Sequence, residues 1–280
     1  MPAKKILHDG YNAVKAACAQ NHGGARTRAI IKDLCRSTLR FLTADAELVK
    51  LVSRVPNKSY ISYRTDGAVA RPANEALFVP DLAAFDAHWE NWEKGAISKP
   101  DLLKLLYTAA LAPCLGMELF DKQNKKGPAT FFECFIGNLV ATQIGREPTR
   151  NARLKIGDAA LRLTMDFLFD PADGKPGLHV PVKMSTRERV VQAWSHQRLL
   201  DSAYGDNHYL GLMILFSETK LDSRNLEVVE ICVPDQWLAY QTYLAKMDNI
   251  FYFDLPDRYA KMAAAYPDIM KVATIEQFIQ

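Results

Sequence analysis

Hydrophobic residues recur at two spacings along this chain, and the change from one to the other divides it. After Gly23-Gly24, the residues Ile30, Ile31, Leu34, Leu39 and Leu42 fall at helical intervals, and residues 11–55 read as helices. Residues 56–82 are mixed and turn-rich, with a strand expected at Ser59–Arg64, and helical periodicity returns over residues 83–118 through Phe85–Trp92 and Leu102–Leu111. The polar, basic run Asp121–Lys126 reads as a connector. From Gly127 onward the pattern predicts a helix at 128–145, strands near 152–158, 161–170 and 179–185, and a helix at 186–203. Strands at 209–217 and 226–233, a helix at 234–247, a strand at 249–255 and a closing helix follow. Strands interleaved with helices predict an α/β fold, a mixed central β-sheet flanked by helices, over about residues 121–280. A largely helical region over about residues 1–120 precedes it, and there is no internal repeat or low-complexity tract.

Composition alters this picture little. The chain has 280 residues, 49% hydrophobic and 24% charged, as expected of a globular protein able to bury a sizeable core. The first residues lack the apolar run of a signal peptide and no stretch reads as a membrane span, so the expectation is a cytoplasmic protein without a membrane. Five scattered cysteines without a CxxC pair suggest neither a disulfide framework nor a zinc site. Charge is more informative in its distribution than in its sum. Residues 1–65 hold twelve Lys or Arg against four Asp or Glu, giving +8, so a net charge of +3 leaves −5 for the rest. Arg28, Lys32, Arg36 and Arg40 recur every fourth residue on one predicted helix. Such a stripe could follow a phosphate backbone or could be an ordinary solvated face.

The chemistry concentrates in two neighbouring predicted strands. In Leu161–Asp170, alternation places Leu161, Leu163, Met165, Phe167 and Phe169 on one face and Arg162, Thr164 and Asp166 on the other. In His179–Ser185, Val180, Val182 and Met184 share one side, and Lys183 faces the other with His179, Pro181 and Ser185. If these strands pair, a carboxylate and an ammonium project from one polar side. That arrangement is either a salt bridge across a hairpin or the pair phosphodiester hydrolysis needs: a carboxylate to hold a divalent cation and a lysine to orient water or stabilise charge. Magnesium suits such a site, because it prefers hard oxygen ligands and keeps several waters.

The run Gly127-Pro-Ala-Thr-Phe-Phe-Glu133, then Asp166, then Val-Pro-Val-Lys183-Met-Ser-Thr-Arg-Glu-Arg189, leading into Val-Val-Gln-Ala-Trp-Ser-His-Gln197, resembles the PD-(D/E)xK nucleases and, within them, the type II restriction endonucleases. The resemblance covers about residues 127–255. It implies metal binding by Asp166, a catalytic Lys183 and a contribution from Glu133 on the preceding helix. It departs from the pattern at Pro181, where the second acidic residue should stand two before the lysine. Related enzymes supply that carboxylate from the next helix, where Glu188 and Gln197 are the candidates. Glu188 also fits an S-x-x-E capping box beginning at Ser185. Gln197 falls on the apolar helix face with Val190, Ala193, Trp194, Leu200 and Tyr204, where a satisfied core amide is the competing reading. Glu133 shares a face with Ile136, Val140 and Ile144 and needs a cation, a metal or an arginine such as Arg153 or Arg187. His196 is given no catalytic role.

The resemblance further implies double-stranded DNA as substrate, Mg2+ as cofactor, a homodimer to cut both strands, and a functional pairing with a DNA methyltransferase. Arg187 and Arg189 are candidate phosphate contacts beside Arg28, Lys32 and Arg36. The Tyr60–Arg64 stretch and the Lys122–Lys126 connector are candidates for base contacts. The absence of GxSxG, HExxH, a P-loop and a dinucleotide fingerprint sets aside hydrolases, kinases and dehydrogenases of those types. A repair or recombination nuclease on the same core, and a DNA-binding protein with a decayed site, remain as alternatives.

Overall fold

The computed structural model describes residues 2–66, 68–121, 126–185 and 190–279. In chain order the elements are α1 (Pro2–Gln20), α2 (Ala25–Ala44), β1 (Glu47–Ser53), β2 (Tyr60–Thr65), β3 (Ala68–Val69), β4 (Ala73–Asn74), α3 (Leu82–Glu93), α4 (Lys99–Phe120) and α5 (Lys126–Ile144). There follow β5 (Thr149–Ile156), β6 (Ala159–Phe169), β7 (Gly177–Val180), β8 (Val182–Lys183), α6 (Val191–Tyr204) and β9 (Tyr209–Leu215). The last elements are β10 (Thr219–Asp222), β11 (Glu227–Glu230), α7 (Pro234–Tyr243), β12 (Asn249–Tyr252), α8 (Asp257–Ala265) and β13 (Val272–Thr274). They form two compact units, one of residues 1–143, 219–231 and 276–280, the other of residues 144–218 and 232–275. This division interleaves along the chain, whereas the sequence pattern drew a single line near residue 120.

In the first unit α1, α2 and α3 pack on α4. By length and composition α4 could cross a membrane, but most of its apolar window is buried as the core of this unit. Leu105, Leu106, Ala109, Leu111 and Leu115 are among its fully enclosed side chains. Residues 47–53, expected to continue a helix, are instead the strand β1. Their Leu-Val-Lys-Leu-Val pattern has period two, and Val49 and Leu51 are buried while Leu48 and Val52 are exposed. β1 pairs antiparallel with β2 and parallel with β11, giving a sheet in the order β10-β11-β1-β2-β3.

The second unit holds the expected mixed central sheet, in the order β13-β12-β9-β7-β6-β5. Strands β7, β9, β12 and β13 run parallel, and β6 and β5 continue the sheet antiparallel. The predicted strand at 179–185 is present from Gly177 but breaks at Pro181 into β7 and β8, both paired with β9. Proline offers no N–H to a ladder. Its carbonyl still accepts from Ile214 N–H at 3.0 Å, which keeps the broken strand in register. The distal end of the β5–β6 hairpin leaves the core: Leu161, expected on the buried face, is 47% exposed. All five cysteines are free and buried.

Helix α6 lies against β9 where the strand has no side chain. A methyl at Gly211 would sit 2.6 Å from Met247 Sδ, 3.1 Å from Gln197 Oε1 and 3.2 Å from the Lys246 carbonyl. Gly211→Ala is therefore expected to destabilise the protein by about 1–3 kcal/mol, measured by urea unfolding, and a neutral result would mean that α6 can shift without loss.

Candidate active site

Asp166 and Lys183 are brought together. β6 and β7 pair antiparallel through Phe167↔Val180 and Leu168↔His179, a ladder that ends where Pro181 interrupts the second strand. Beyond the break, the Val182 N–H has no strand partner on that side and donates to Asp166 Oδ2 at 2.9 Å. The Lys183 ammonium donates to the same oxygen at 2.6 Å. A side-chain carboxylate thus takes over from the backbone ladder. Both side chains are 23% exposed, so the pair is shielded from bulk water yet open on one side. Among the described residues the hydrogen bonds of the carboxylate all fall on Oδ2, which leaves Oδ1 available. Charge-assisted bonds of this kind are short and hold their geometry firmly.

Gln197 is buried on α6, on the face its phase predicted, and its amide is fully used. Its Nε2 donates to Asp201 Oδ1 and to the Tyr209 carbonyl, both at 2.8 Å. Its Oε1 is then the acceptor facing His179 Nδ1 at 3.0 Å, which places the imidazole proton on Nδ1. The His179 Nε2 lone pair is buried without a hydrogen-bond partner among the described residues. Burial pushes the His179 imidazole down to about 4, only partly offset by the Gln197 bond. His196, one residue before Gln197, lies 6.2 Å from His179 ring to ring. Its pKa is also lowered, by burial first, with Asp166 acting to raise it and Lys183 to lower it. Sequence reasoning placed His179 on the polar side but missed its bond to Gln197. The available signal was an amide on an apolar helix face, which required a partner.

Of the other expected residues, some lie in the first unit and some outside the described residues. Glu133 is half-buried on α5 in the first unit, where its charge is felt by the Tyr11 phenol. Glu188, Arg187 and Arg189 lie outside the described residues, as does most of the Lys122–Lys126 connector. The basic stripe on α2 faces α3 within its own unit. The Arg28 guanidinium lies over Trp92 at 5.0 Å, Lys32 lies over Trp89 and 3.7 Å from Glu93, and Arg36 is 3.1 Å from Asp86. These cations close a helix–helix contact, so the reading of Arg28, Lys32 and Arg36 as DNA contacts gives way to a packing role. In the Tyr60–Arg64 stretch, Tyr60 is buried and Arg64 forms a bidentate pair with Glu47 at 2.6 and 3.0 Å.

The buried His179 has a consequence for stability. In the unfolded chain it titrates near 6.5, but in the fold near 4, so between those values only the unfolded chain takes up the proton. The contribution is complete above pH 6.5 and is lost as pH falls toward 4. Between about pH 7 and about pH 5 the unfolding free energy should drop by about 2 kcal/mol from this group. Urea titrations at the two pH values check it, and the drop should shrink in His179→Gln. An equal drop in both proteins would assign it to other groups.

No known family profile and no curated protein matches the chain. Among solved structures it is similar to the type IIP restriction endonuclease Kpn2I, with a TM-score of 0.81 and 23% identity over 98% of this chain and 95% of that one. A complex of the restriction endonuclease PspGI with substrate DNA also aligns, at a TM-score of 0.38 and 15% identity over 70% of this chain and 71% of that one. The likeness to Kpn2I runs through nearly the whole of both chains, and the mixed sheet that carries Asp166 and Lys183 is thereby a restriction-endonuclease fold.

Proposed function

We propose that this protein is a type II restriction endonuclease that makes magnesium-dependent double-strand cuts at a short specific DNA sequence. The observation that carries the reading is the Asp166–Lys183 pair, held at a strand break on the central sheet of a restriction-endonuclease fold. The donor set fits magnesium. Oδ1 of Asp166 is a hard oxygen without a hydrogen bond from the described residues, and one or two protein carboxylates suffice for an ion that keeps its waters. When bound, the ion supplies Lewis-acid stabilisation of charge on the phosphate.

The protein's own part is positioning. Val182 N–H and Lys183 together fix the Asp166 carboxylate, and the remaining protons of the Lys183 ammonium can orient a water or meet developing negative charge. Glu188, just ahead of α6 in the sequence, is the candidate for a second carboxylate. Gln197, its amide already committed to His179, Asp201 and Tyr209, supports the strand bearing the lysine and is not assigned to the metal. Arg187 and Arg189, just ahead of α6, would contact phosphates. A two-fold homodimer would bring two such sites to the two strands of a palindrome, and a methyltransferase of the same specificity would protect host DNA.

The test uses the purified protein with Asp166→Asn and Lys183→Ala variants on long unmethylated duplex DNA, with magnesium or with chelator. Discrete fragments that need magnesium are expected, with cleavage rates reduced at least about a hundredfold in each variant while thermal melting shows a folded protein. Random degradation, or a requirement for branched or single-stranded DNA, would favour the repair nuclease instead. No cleavage of any of these substrates would sink the reading.

A further inference from the structure

The β5–β6 hairpin departs from what a stable sheet does with charge. Its register pairs Asn151↔Thr164, Arg153↔Arg162 and Lys155↔Ala160 on one face, and Ala152↔Leu163 and Leu154↔Leu161 on the other. Two arginines therefore stand directly opposite each other, an arrangement that costs stability when nothing lies between them. This same protein shows the usual solution in its other sheet, where Glu47 faces Arg64 in an equivalent antiparallel pair and the two are joined by two hydrogen bonds. Arg153 and Arg162 have no such partner: among the described residues neither side chain forms an ion pair or hydrogen bond, and both are exposed. The hairpin between Thr149 and Met165 contains one carboxylate, Asp158, at its tip.

Both arginines line a cleft of about 540 Å³ whose walls also include Asn151, Asp170 and Tyr204. The Asp170 carboxylate accepts from the Tyr209 hydroxyl at 2.9 Å, and Tyr204 is spent on the Arg153 backbone, accepting from its N–H and donating to its carbonyl. The cleft thus presents two guanidinium forks without an ion-pair partner among the described residues and one carboxylate, Asp170, held by Tyr209; the guanidinium is the side chain best matched to a phosphate. Arg162 stands four residues before Asp166 on the same strand. The register shift of the β5–β6 ladder falls between Thr164 and Leu168, so the span is at most the roughly 13 Å of a regular strand rising about 3.3 Å per residue, within about four nucleotides of axial rise along a duplex.

The geometry points to Arg153 and Arg162 as a shared clamp for a backbone phosphate of duplex DNA, flanking the phosphate presented to Asp166 and Lys183. The inference rests on the nuclease reading above and extends it, because the clamp supplies grip and register without touching a base. The anion takes the place that a glutamate occupies opposite Arg64, and free protein carries the repulsion until DNA arrives.

The test measures binding and not cutting, so that it does not depend on the chemistry. Full-length protein, Arg153→Gln, Arg162→Gln and Arg162→Glu are titrated into a fluorescent random-sequence duplex in chelator at several salt concentrations, with thermal melting in parallel. Each glutamine variant should bind about fivefold more weakly near about 0.15 M salt and lower the log–log salt slope by about one. Arg162→Glu should bind more weakly still while melting at or above the parent temperature, since it creates the pair seen at Glu47 and Arg64. Unchanged affinity and slope in the glutamine variants, with the parent binding normally, overturns the clamp and leaves the nuclease reading standing. Weakened binding only in variants whose melting temperature has fallen overturns it also. A parent protein that binds no duplex at all overturns both.

Discussion

The site depends on one oxygen atom. Asp166 Oδ2 receives the Val182 backbone N–H and the Lys183 ammonium together, so a single carboxylate closes the end of a β-ladder and holds a lysine beside an oxygen that accepts nothing from the described residues. Pro181 makes this possible. By withholding an N–H and interrupting the strand, it ends ordinary pairing with β6 and leaves the next amide to be satisfied by a side chain. A residue that reads in the sequence as a missing ligand is, in the structure, the reason the neighbouring carboxylate is fixed.

Behind that oxygen lies a layer of buried polar groups that determines how firmly the lysine's strand is seated. Gln197 ties α6 to β7 through His179 and to β9 through the Tyr209 carbonyl, and it lies over the bare backbone of Gly211. A second buried glutamine, Gln241, accepts from Trp194 Nε1 and from Met247 N–H and donates to the Met247 and Ile269 carbonyls. Buried amides whose donors and acceptors are engaged in this way specify one packing, because a shift of α6 would strand several polar groups at once. The strand that carries Lys183 is held by polar satisfaction as much as by the apolar cluster around Trp194, Trp237 and Tyr252.

Asp166 and Lys183 were legible in the sequence because their predicted strands alternate and lie close together, although the β6 ladder shifts register beside Asp166 and the second strand breaks at Pro181. The helices from α2 to α5 and the mixed sheet were legible from their hydrophobic spacing, whereas α1 begins at Pro2, ahead of the helix start read at residue 11. β1 was not, because its seven residues follow a long helix without a breaker and their apolar count satisfies either period. The basic stripe on α2 was visible, but its meaning was not: Trp89, Trp92, Asp86 and Glu93, which receive Arg28, Lys32 and Arg36, belong to a helix 50 to 64 residues further along. The opposed Arg153 and Arg162 could not be seen before the register was known, since only pairing makes them neighbours.

The chain passes from one compact unit to the other at residues 143–144, 218–219, 231–232 and 275–276. β1 finds its parallel neighbour β11 through Val52↔Glu227, near the far end of the sequence. On a ribosome, the sheet of the first unit must therefore wait until most of the second has been made, with one side of β1 lacking its partner strand meanwhile. Loop closure over such a span is slow, and an unpaired strand edge invites other chains. Synthesis from the N-terminus thus leaves the first unit's sheet without β11 until residues 227–230 have been made.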